Sequence, residues 1–376
     1  MNGPLKGITV VSVEQAVAAP YASSRLADAG ARVIKVERPE GDFARNYDNM
    51  VLGQSAYYVW LNRGKESVCI DIKAAVDQEL LERLIAHADV LIQNLKPGSM
   101  ERLGYSSASL RARYPRLISC EISGFGYDGK FSHLKAYDLI VQAEVGLCSI
   151  TGNAAGPARV GVSVCDIAAG MSAHAAILQA LYHRERTGEG ASIHVSLFDA
   201  VADWMNVPVL QHLHAGHESV RAGINHPSIA PYGAYRCSDG KEIVFSVQNS
   251  REWVALCERF LRRPELIESR DFGDNMARLA NRRALDEIVA ARFQTLSSSQ
   301  AMDELEEAGL AYGRLNDVEA LSRHPHARMA RVSTPAGGVD VIAPPAIVDG
   351  KEPELGAVAG LGQHSQAIRS EFLARG

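Results

Sequence analysis

The sequence predicts an α/β protein built on a parallel sheet, followed by a second, smaller lobe. Over the first two hundred residues, short β-branched runs alternate with helix-like segments, which is the pattern of strand-helix-strand units. After about residue 205 histidine, proline and glycine cluster, and the helical segments become rich in arginine and glutamate. The length of 376 residues is that of two or three typical domains, so two lobes are expected.

The first lobe contains seven predicted strands and three predicted helices. The strands are rich in valine and isoleucine and cover residues 8–13, 32–36, 68–72, 90–92, 116–123, 159–165 and 191–197. Apolar residues at helical spacing predict helices over 20–29, 78–87 and 167–187, and Gly188 ends the last of these. In the second lobe, a strand over 242–247 precedes amphipathic helices that reach about residue 310. A stretch rich in proline and glycine follows at 332–353.

Composition and charge exclude several classes of protein. With 39 Lys and Arg against 44 Asp and Glu, the net charge of −5 offers no basic field for nucleic acid. No signal peptide opens the chain and no run of about 18 apolar residues occurs, so we predict a cytoplasmic protein without a membrane partner. The six cysteines form no C-x-x-C pair and are expected to be reduced.

Common cofactor motifs are absent or lack their context. Gly124, Gly126 and Gly129 match G-x-G-x-x-G, but no helix is predicted directly after them, so a dinucleotide site is not expected. The chain contains neither a G-x-S-x-G elbow nor a P-loop. His212, with the two histidines that follow it at 214 and 217, lacks an acidic or cysteine partner, so no metal site is predicted.

Asp166 is the most informative carboxylate. It stands between the predicted strand at 160–164 and the long helix that follows, so its side chain is expected at the end of a strand and the start of a helix. One interpretation is an N-cap, which stabilises a helix by about 1 kcal/mol. The other is a ligand-edge nucleophile whose ionised form is favoured by the helix-terminal amides. Local sequence leaves both open.

Segments spread over nearly the whole chain resemble the class III coenzyme A transferases, the family of formyl-CoA transferase and of succinyl-CoA:dicarboxylate CoA-transferases. The resemblance includes Val164-Cys165-Asp166-Ile167-Ala168-Ala169-Gly170. The other matching segments are residues 4–11, 26–31, 33–39, 88–94, 96–98, 102–104, 123–126 and 361–364. Each segment alone is weak, but together and in this order they are specific.

The resemblance implies a Rossmann-like large domain, a smaller α+β domain and an interlocked homodimer. Residues 1–205 would form the first part of the large CoA-binding domain, 206–320 the small domain with its linker, and 321–376 a return segment that completes the large domain. The partners would be an acyl-CoA and a small carboxylic acid. CoA thioester would be a substrate, and no cofactor is expected.

The resemblance also implies the site. Asp166 would be the nucleophile that forms an aspartyl-CoA thioester, and amides of the loop with Gly124 and Gly126 are candidates to stabilise oxyanions. Residues expected to contact CoA are Ala16, Val17, Arg38, Ile70, Lys73, Asn94, Leu95, Arg102, Lys135 and Tyr137. Arg45 and His226 are the basic groups expected to bind a second substrate carboxylate.

Two departures from relatives shape the expected activity. Val17 stands where formyl-CoA transferase has glutamine, which argues against formate and oxalate as substrates. Tyr137 stands where the related α-methylacyl-CoA racemases have a histidine base, and a phenol with a pKa near 10 is a poor base for an α-proton. We therefore expect succinyl-CoA as donor and a short branched dicarboxylate as acceptor. A racemase and a noncatalytic CoA-binding subunit remain alternatives.

Overall fold

A computed structural model describes residues 3–373, which form two compact units. The first unit contains residues up to 147, 159–213 and the segment from 328 onward, and the second contains residues 148–158 and 214–327. The unit limits near 213 and 327 differ from the predicted boundaries at 205 and 320. The sequence pattern also gave no sign that residues 148–158 join the second unit, because this short segment lies between two helices of the first.

The first unit is built on a six-stranded parallel sheet with the order β3-β2-β1-β4-β5-β8. This is the strand order of a doubly wound dinucleotide-binding fold. The strands are β1 (Thr9–Val13), β2 (Arg32–Glu37), β3 (Lys65–Cys69), β4 (Val90–Gln93), β5 (Ile118–Ser123) and β8 (Ser192–Ser196). A separate antiparallel hairpin is formed by β12 (Met329–Thr334) and β13 (Gly337–Ile342).

Helices cover both faces of this sheet. Val10 belongs to a core shared with α1 and α8, and its neighbour Val11 to a core shared with α3 and α16, because successive strand residues point to opposite faces. In the chain before the second unit's main segment, the helices are α1 (Ala18–Asp28), α2 (Ala56–Leu61), α3 (Ala75–Ala86), α4 (Ser99–Arg102), α5 (Ser107–Arg113), α6 (Asp138–Glu144), α7 (Leu147–Ile150), α8 (Val164–Thr187), α9 (Leu197–Ala202) and α10 (Asn206–Ala215); α16 (Ser365–Leu373) closes the described chain.

The second unit is an antiparallel sheet with helices packed against it. Its three-stranded sheet has the order β11-β10-β9, and a two-residue ladder joins β6 (Gly152–Asn153) to β7 (Gly156–Pro157). The other strands are β9 (Tyr232–Arg236), β10 (Glu242–Ser246) and β11 (Ala311–Arg314), and the helices are α11 (Ser250–Ala255), α12 (Asn275–Ala280), α13 (Arg282–Phe293), α14 (Ser298–Glu307) and α15 (Val318–Ser322). The core contains Trp253, Phe245, Phe260 and Phe293.

Three predictions about elements were wrong. Residues 159–163 form no strand, and α8 begins at Val164. β3 begins at Lys65 and ends at Cys69, earlier than the predicted 68–72, because its first residues are charged and carry no apolar signal. The hairpin of β12 and β13 lies partly in the stretch rich in proline and glycine, where no strand was predicted.

The helix α8 is long and apolar enough to cross a membrane by length and composition. It packs against α1, and Ala169, Ala173 and Ile177 on its inner face are fully buried. These contacts explain its apolar character as that of a core helix. On its outer face Met171, Leu178 and Tyr182 are exposed, as are Val207, Leu210 and Leu213 on α10.

Candidate active site

The loop between β1 and α1 lies where the strand order of the sheet reverses. Doubly wound folds bind ligands at this point, at the carboxyl ends of the strands. Asn94, just after β4, fastens the loop: its Oδ1 accepts from the Gln15 N–H at 2.9 Å, and its Nδ2 donates to the Gln15 carbonyl at 2.8 Å. Ala16 follows with a φ of 63°, a left-handed conformation that residues with a Cβ seldom adopt. The predicted CoA-contact loop is therefore strained and tightly anchored.

Asp42 anchors Ala16 from the other side. Its Oδ1 accepts from the Ala16 N–H at 3.1 Å, and its Oδ2 forms a 2.7 Å ion pair with Lys35 Nζ. Both side chains are almost completely buried. A buried charge is tolerated when it is paired and hydrogen-bonded, so this pair fixes the loop without leaving an isolated charge.

Asp42 and Lys35 belong to a buried charge cluster below the loop. Lys35 and Glu37 are two positions apart on β2, and Lys65 on β3 pairs with Val33, so the three side chains lie on the same face of the sheet. The other ion pairs are Lys65–Glu14 at 2.6 Å, Lys35–Glu14 at 3.6 Å and Arg45–Glu37 at 2.7 Å. The complete cluster contains Glu14, Lys35, Glu37, Asp42, Arg45 and Lys65.

Burial and ion pairing within the charge cluster shift the pKa values of its members. Burial opposes ionisation of Glu37, but the hydrogen bond from Arg45 and the charge of Lys35 lower its pKa to about 2. Burial lowers the pKa of Lys65 to about 8, although the charge of Glu14 acts in the opposite direction. The sequence carried one signal of this cluster, since Lys35 lies inside the run Val33-Ile34-Lys35-Val36, where a parallel strand covered on both faces is normally apolar.

Asp166 lies in the first turn of α8, where it is the third helical residue. The prediction that it ends a strand was wrong, because the preceding residues 159–163 form a loop. It does not act as the N-cap either. That position is Ser163, whose side chain makes no capping bond and instead lies 3.2 Å from the Tyr57 hydroxyl.

Asp138 supplies the cap from outside the helix. Its Oδ1 accepts from the Cys165 N–H at 2.7 Å and from the Asp166 N–H at 3.4 Å, and its Oδ2 accepts from Gln142 Nε2 at 2.6 Å. These helix-terminal amides donate to Asp138 and not to the Asp166 side chain. The expectation that they favour the ionised form of Asp166 was therefore wrong. Burial and the negative charge of Asp138 raise the pKa of Asp166 to about 7.

A close helix contact brings α1 and α8 together near Asp166. Gly170 lies one turn beyond Asp166 on α8, and a Cβ at Gly170 would meet the Ala18 carbonyl oxygen at 2.6 Å and the Tyr21 Cβ at 2.9 Å. Only a glycine allows this approach. Because Ala18 begins α1 directly after Ala16 and Val17, the anchored loop and the helix start that carries Asp166 belong to one site.

Aromatic side chains lie beside this site. Tyr47 and Tyr57 form an edge contact with ring centroids 5.7 Å apart, and Tyr57 also packs on Trp60. Burial raises the pKa of Tyr47 to about 12, with smaller contributions from the charges of Asp42 and Asp166. Tyr47 is thus close to both carboxylates, and the site has an aromatic wall that the sequence did not predict.

Four predicted CoA contacts are exposed cations. Arg38 uses its Nε on the Gly41 carbonyl at 2.9 Å, and Arg102 uses an Nη on Ser99 Oγ at 3.1 Å. Lys73 and Lys135 are exposed as well. Their charged ends are accessible to a phosphate, and binding by these residues stays a prediction.

The remaining predicted CoA contacts are more deeply placed. Ile70 is 2% exposed and packs in the core on the α3 side, and its N–H donates to the Glu37 carbonyl at 2.8 Å, so its predicted contact with CoA stays a prediction. Val17 is buried, and Leu95 packs against the same α3-side core while its N–H donates to Gln93 Oε1 at 2.8 Å. Tyr137 precedes Asp138 and is 62% exposed, which leaves its side chain accessible.

The glycine loop shapes the site differently from the prediction. The Gly126 N–H, expected to face an oxyanion, donates to Ser123 Oγ at 3.1 Å, and Gly126 has a φ of 97° that favours glycine. A Cβ on Gly124 would come within 2.1 Å of the Ala136 Cβ. Gly124 therefore permits the segment that carries Asp138 to pack close to β5, and the oxyanion role of Gly126 is not supported.

Two residues predicted to bind substrate have other partners. Arg45 forms a bidentate pair with Glu37, donates to the Tyr58 hydroxyl and stacks on the Tyr58 ring at 3.8 Å, so its guanidinium is already committed. His226 lies in the second unit. It stacks on Tyr232 and accepts from the Ser228 N–H at 3.1 Å, which orders its own loop.

Cysteines and potential metal ligands add no further site. None of the six cysteines, all of which lie within residues 3–373, is in a disulfide bond. Within residues 3–373, no group of three or more His, Cys, Asp and Glu side chains has an arrangement suited to a metal ion.

The fold and site together are those of an α/β protein with a carboxylate, Asp166, at the ligand edge of a doubly wound sheet. Residues 5–365 match the CoA-transferase family III. The chain belongs to this family and is an enzyme of the CoA-transferase class.

Curated relatives are similar over most of their length. The chain is 34% identical to the acetyl-CoA:oxalate CoA-transferase of Acetobacter aceti, over 99% of this chain and 97% of the relative. It is 33% identical to the succinyl-CoA:glutarate CoA-transferase of Mus musculus, over 98% and 86%. It is 34% identical to the succinyl-CoA:mesaconate CoA-transferase of Haloarcula hispanica, over 81% and 78%.

Solved structures with the same fold cover the whole chain. A CaiB/BaiF family protein from Brucella suis superposes with a TM-score of 0.85 at 33% identity, over 99% of this chain and all of that one. Rv3272 from Mycobacterium tuberculosis gives a TM-score of 0.85 at 28% identity, over 98% of this chain and 99% of that one.

Proposed function

We propose that the enzyme moves CoA from an acyl-CoA donor, succinyl-CoA above all, to a short branched dicarboxylate through an aspartyl-CoA thioester on Asp166. One observation carries this proposal: Asp166 is a carboxylate without a cation partner among residues 3–373, in the first helical turn beside the anchored Ala16 loop. The test is the mass of the enzyme after exposure to donor alone, which should rise by one CoA thioester on Asp166.

The reaction balances with carboxylates and thiolate alone. The Asp166 carboxylate attacks the thioester carbonyl, which gives a mixed anhydride and releases CoA thiolate. The thiolate attacks the Asp166 carbonyl of that anhydride, forming the enzyme thioester and freeing the donor acid. The acceptor carboxylate then attacks the carbonyl of this thioester, which gives a second mixed anhydride and releases CoA thiolate. The thiolate attacks the acceptor carbonyl of that anhydride, which forms the acceptor-CoA thioester and frees the Asp166 carboxylate.

A racemase is the weaker alternative. Abstraction of an α-proton needs a base beside Asp138, and the polar contacts of Asp138 are with Gln142, Arg159 and the amides at the start of α8. No histidine among residues 3–373 forms an ion pair or hydrogen bond with it. The position before it is occupied by Tyr137.

We further propose a homodimer in the cytoplasm. Exposed apolar side chains lie on α8 and on α10, and a second copy of the chain would cover such residues. Cysteines that form no disulfide among residues 3–373 suit a reducing compartment. An interlocked arrangement is what the family resemblance implies, and it stays a prediction.

Removing the exposed arginines should weaken binding of the donor more than turnover. We expect Arg38→Ala and Arg102→Ala to raise the KM for succinyl-CoA several-fold with little change in kcat, because phosphate contacts far from the thioester act equally on ground and transition states. Steady-state kinetics and the Kd for free CoA measure this. Arg283→Ala, an exposed arginine of the second unit, is the control. A loss of kcat with unchanged CoA affinity would contradict the assignment.

Short branched dicarboxylates should be better acceptors than formate and oxalate. Oxalate, glutarate and mesaconate in the relatives' names are all diacids, which supports this class but does not rank its members. With succinyl-CoA as donor, we expect mesaconate, citramalate, itaconate or hydroxymethylglutarate to exceed formate and oxalate in kcat/KM. Mass spectrometry of the CoA esters formed from each acid in this panel measures the rate with each acceptor. Monocarboxylates that surpass every dicarboxylate by more than about tenfold, roughly 1.4 kcal/mol, would overturn the substrate class and leave the Asp166 chemistry untouched.

A further inference from the structure

The proposed dicarboxylate needs a cation for the carboxylate that does not react. Transfer of an unpaired carboxylate from water into a closed site is costly, and a guanidinium offsets this cost best because it forms two parallel hydrogen bonds. Arg45 is committed to Glu37, and His226 stacks on Tyr232 and accepts a hydrogen bond from the Ser228 N–H. A cation with uncommitted donors near Asp166 is therefore the better candidate.

Arg159 lies next to the nucleophile's helix. Its Nη2 is 3.9 Å from Asp138 Oδ2, and Asp138 Oδ1 in turn accepts from the Asp166 N–H. Within residues 3–373, no other Lys, Arg or His forms an ion pair within 4.0 Å with Asp138 or Asp166. Asp138 thus contacts both the start of the helix that carries Asp166 and the guanidinium of Arg159, which places this cation near the helix turn of the nucleophile.

The guanidinium of Arg159 is not saturated. Its Nε donates to the Val160 carbonyl at 2.9 Å, while the contact with Asp138 is too long for a hydrogen bond. The side chain is 45% exposed, against 18% for Arg45, whose two bonds to Glu37 are 2.7 and 2.9 Å. Arg159 can therefore accept a new carboxylate without breaking a strong pair.

The surroundings of Arg159 hold it in place. The buried Gln142 donates to Asp138 Oδ2 at 2.6 Å and accepts from the Val160 N–H at 2.9 Å through its Oε1. One amide side chain thus fixes both the capping carboxylate and the main chain next to Arg159. Loop residues 160–163 connect this point directly to α8.

We propose that Arg159 binds the non-reacting carboxylate of the dicarboxylate acceptor, and the same carboxylate of succinyl-CoA, and so determines the preference for diacids. This inference rests on the proposed CoA transfer through Asp166. Arg159 selects the substrate and takes no part in the exchange of bonds.

The test compares two acids that differ in one group. Mesaconate has a carboxylate where tiglate, its monocarboxylate analogue, has a methyl group. Arg159→Gln should lower kcat/KM for mesaconate at least tenfold and raise its dissociation constant by a similar factor, with tiglate changed less than about threefold. Arg159→Lys, which keeps the charge but not the two parallel hydrogen bonds, should restore part of the loss. Dissociation constants are measured by calorimetry for both acids, so the comparison does not depend on tiglate turnover.

The controls separate selection from a general effect on the site. Arg186→Gln, at the exposed far end of α8, should change neither acid. If loss of Arg159 merely displaced Asp138 or Asp166, the kcat/KM and the dissociation constants for mesaconate and tiglate would change by the same factor. An unchanged ratio of the two dissociation constants would therefore overturn the proposal. If wild-type enzyme forms no CoA adduct on Asp166, the proposed function fails instead, and the binding ratio still tests Arg159.

Discussion

Replacing Asp166 by asparagine is expected to reduce CoA transfer by at least about a thousandfold, since loss of a covalent nucleophile typically removes most of the catalysis of a chemical step. Asparagine has nearly the same shape, but its amide is a far poorer nucleophile than a carboxylate and forms no aspartyl thioester. The Asp166→Asn protein should remain folded, because the cap of α8 is Asp138 and not Asp166. Initial rates of CoA exchange and the mass of the enzyme after incubation with succinyl-CoA measure the effect.

A second carboxylate on the same helix provides the matched control. Glu185 is exposed near the far end of α8, and Glu185→Gln should retain full activity and the adduct. The covalent mechanism is wrong if the Asp166→Asn enzyme keeps near-normal exchange, or if the wild-type adduct maps to another residue after proteolysis. Circular dichroism and thermal unfolding of both variants show whether a loss of activity comes from the chemistry.

Most strands of the parallel sheet were predictable because they are rich in valine and isoleucine. Short runs rich in β-branched residues, such as 32–36 and 90–92, favour buried parallel strands over helices or loops. The run at 160–164 has the same β-branched character but no strand neighbour in the fold. It forms a loop instead, with the Val160 N–H bonded to Gln142. Local sequence cannot distinguish the two cases, since the difference lies in a tertiary hydrogen bond.

The family resemblance predicts Asp166 as the nucleophile, and this role stays a prediction. The residues that anchor its surroundings could not be predicted, because Asp42 and Asp138 act through backbone amides that lie 26 and 28 positions away along the chain. Arg45 seemed free because the sequence does not show that Glu37 ends a neighbouring strand and faces it. Pairings of this kind depend on strand register, which a single sequence does not reveal.

The pH dependence of the first half-reaction should follow the ionisation of Asp166. Burial and the charge of Asp138 raise the pKa of Asp166 to about 7, and only the carboxylate attacks the thioester. We therefore expect kcat/KM for the donor to fall about tenfold for each pH unit below 7, or about a hundredfold at pH 5. Asp138→Asn removes one of the two causes and keeps an oxygen that can cap α8, so its acidic limb should move to lower pH.

The ionisation of Asp166 should also change the free energy of unfolding. Activity should rise as Asp166 loses its proton, whereas the free energy of unfolding should fall. A carboxyl whose pKa is higher in the folded than in the unfolded state binds its proton more tightly when folded, so its contribution to stability is complete below about pH 4. That contribution is lost as pH rises through about 7. Asp166→Asn, which has no proton to lose there, should therefore gain stability over the wild type between pH 5 and 8 in denaturant titrations. An acidic limb near the ordinary carboxyl pKa, together with equal stability of the two proteins across this range, would show that Asp166 is not held in a desolvated site next to Asp138.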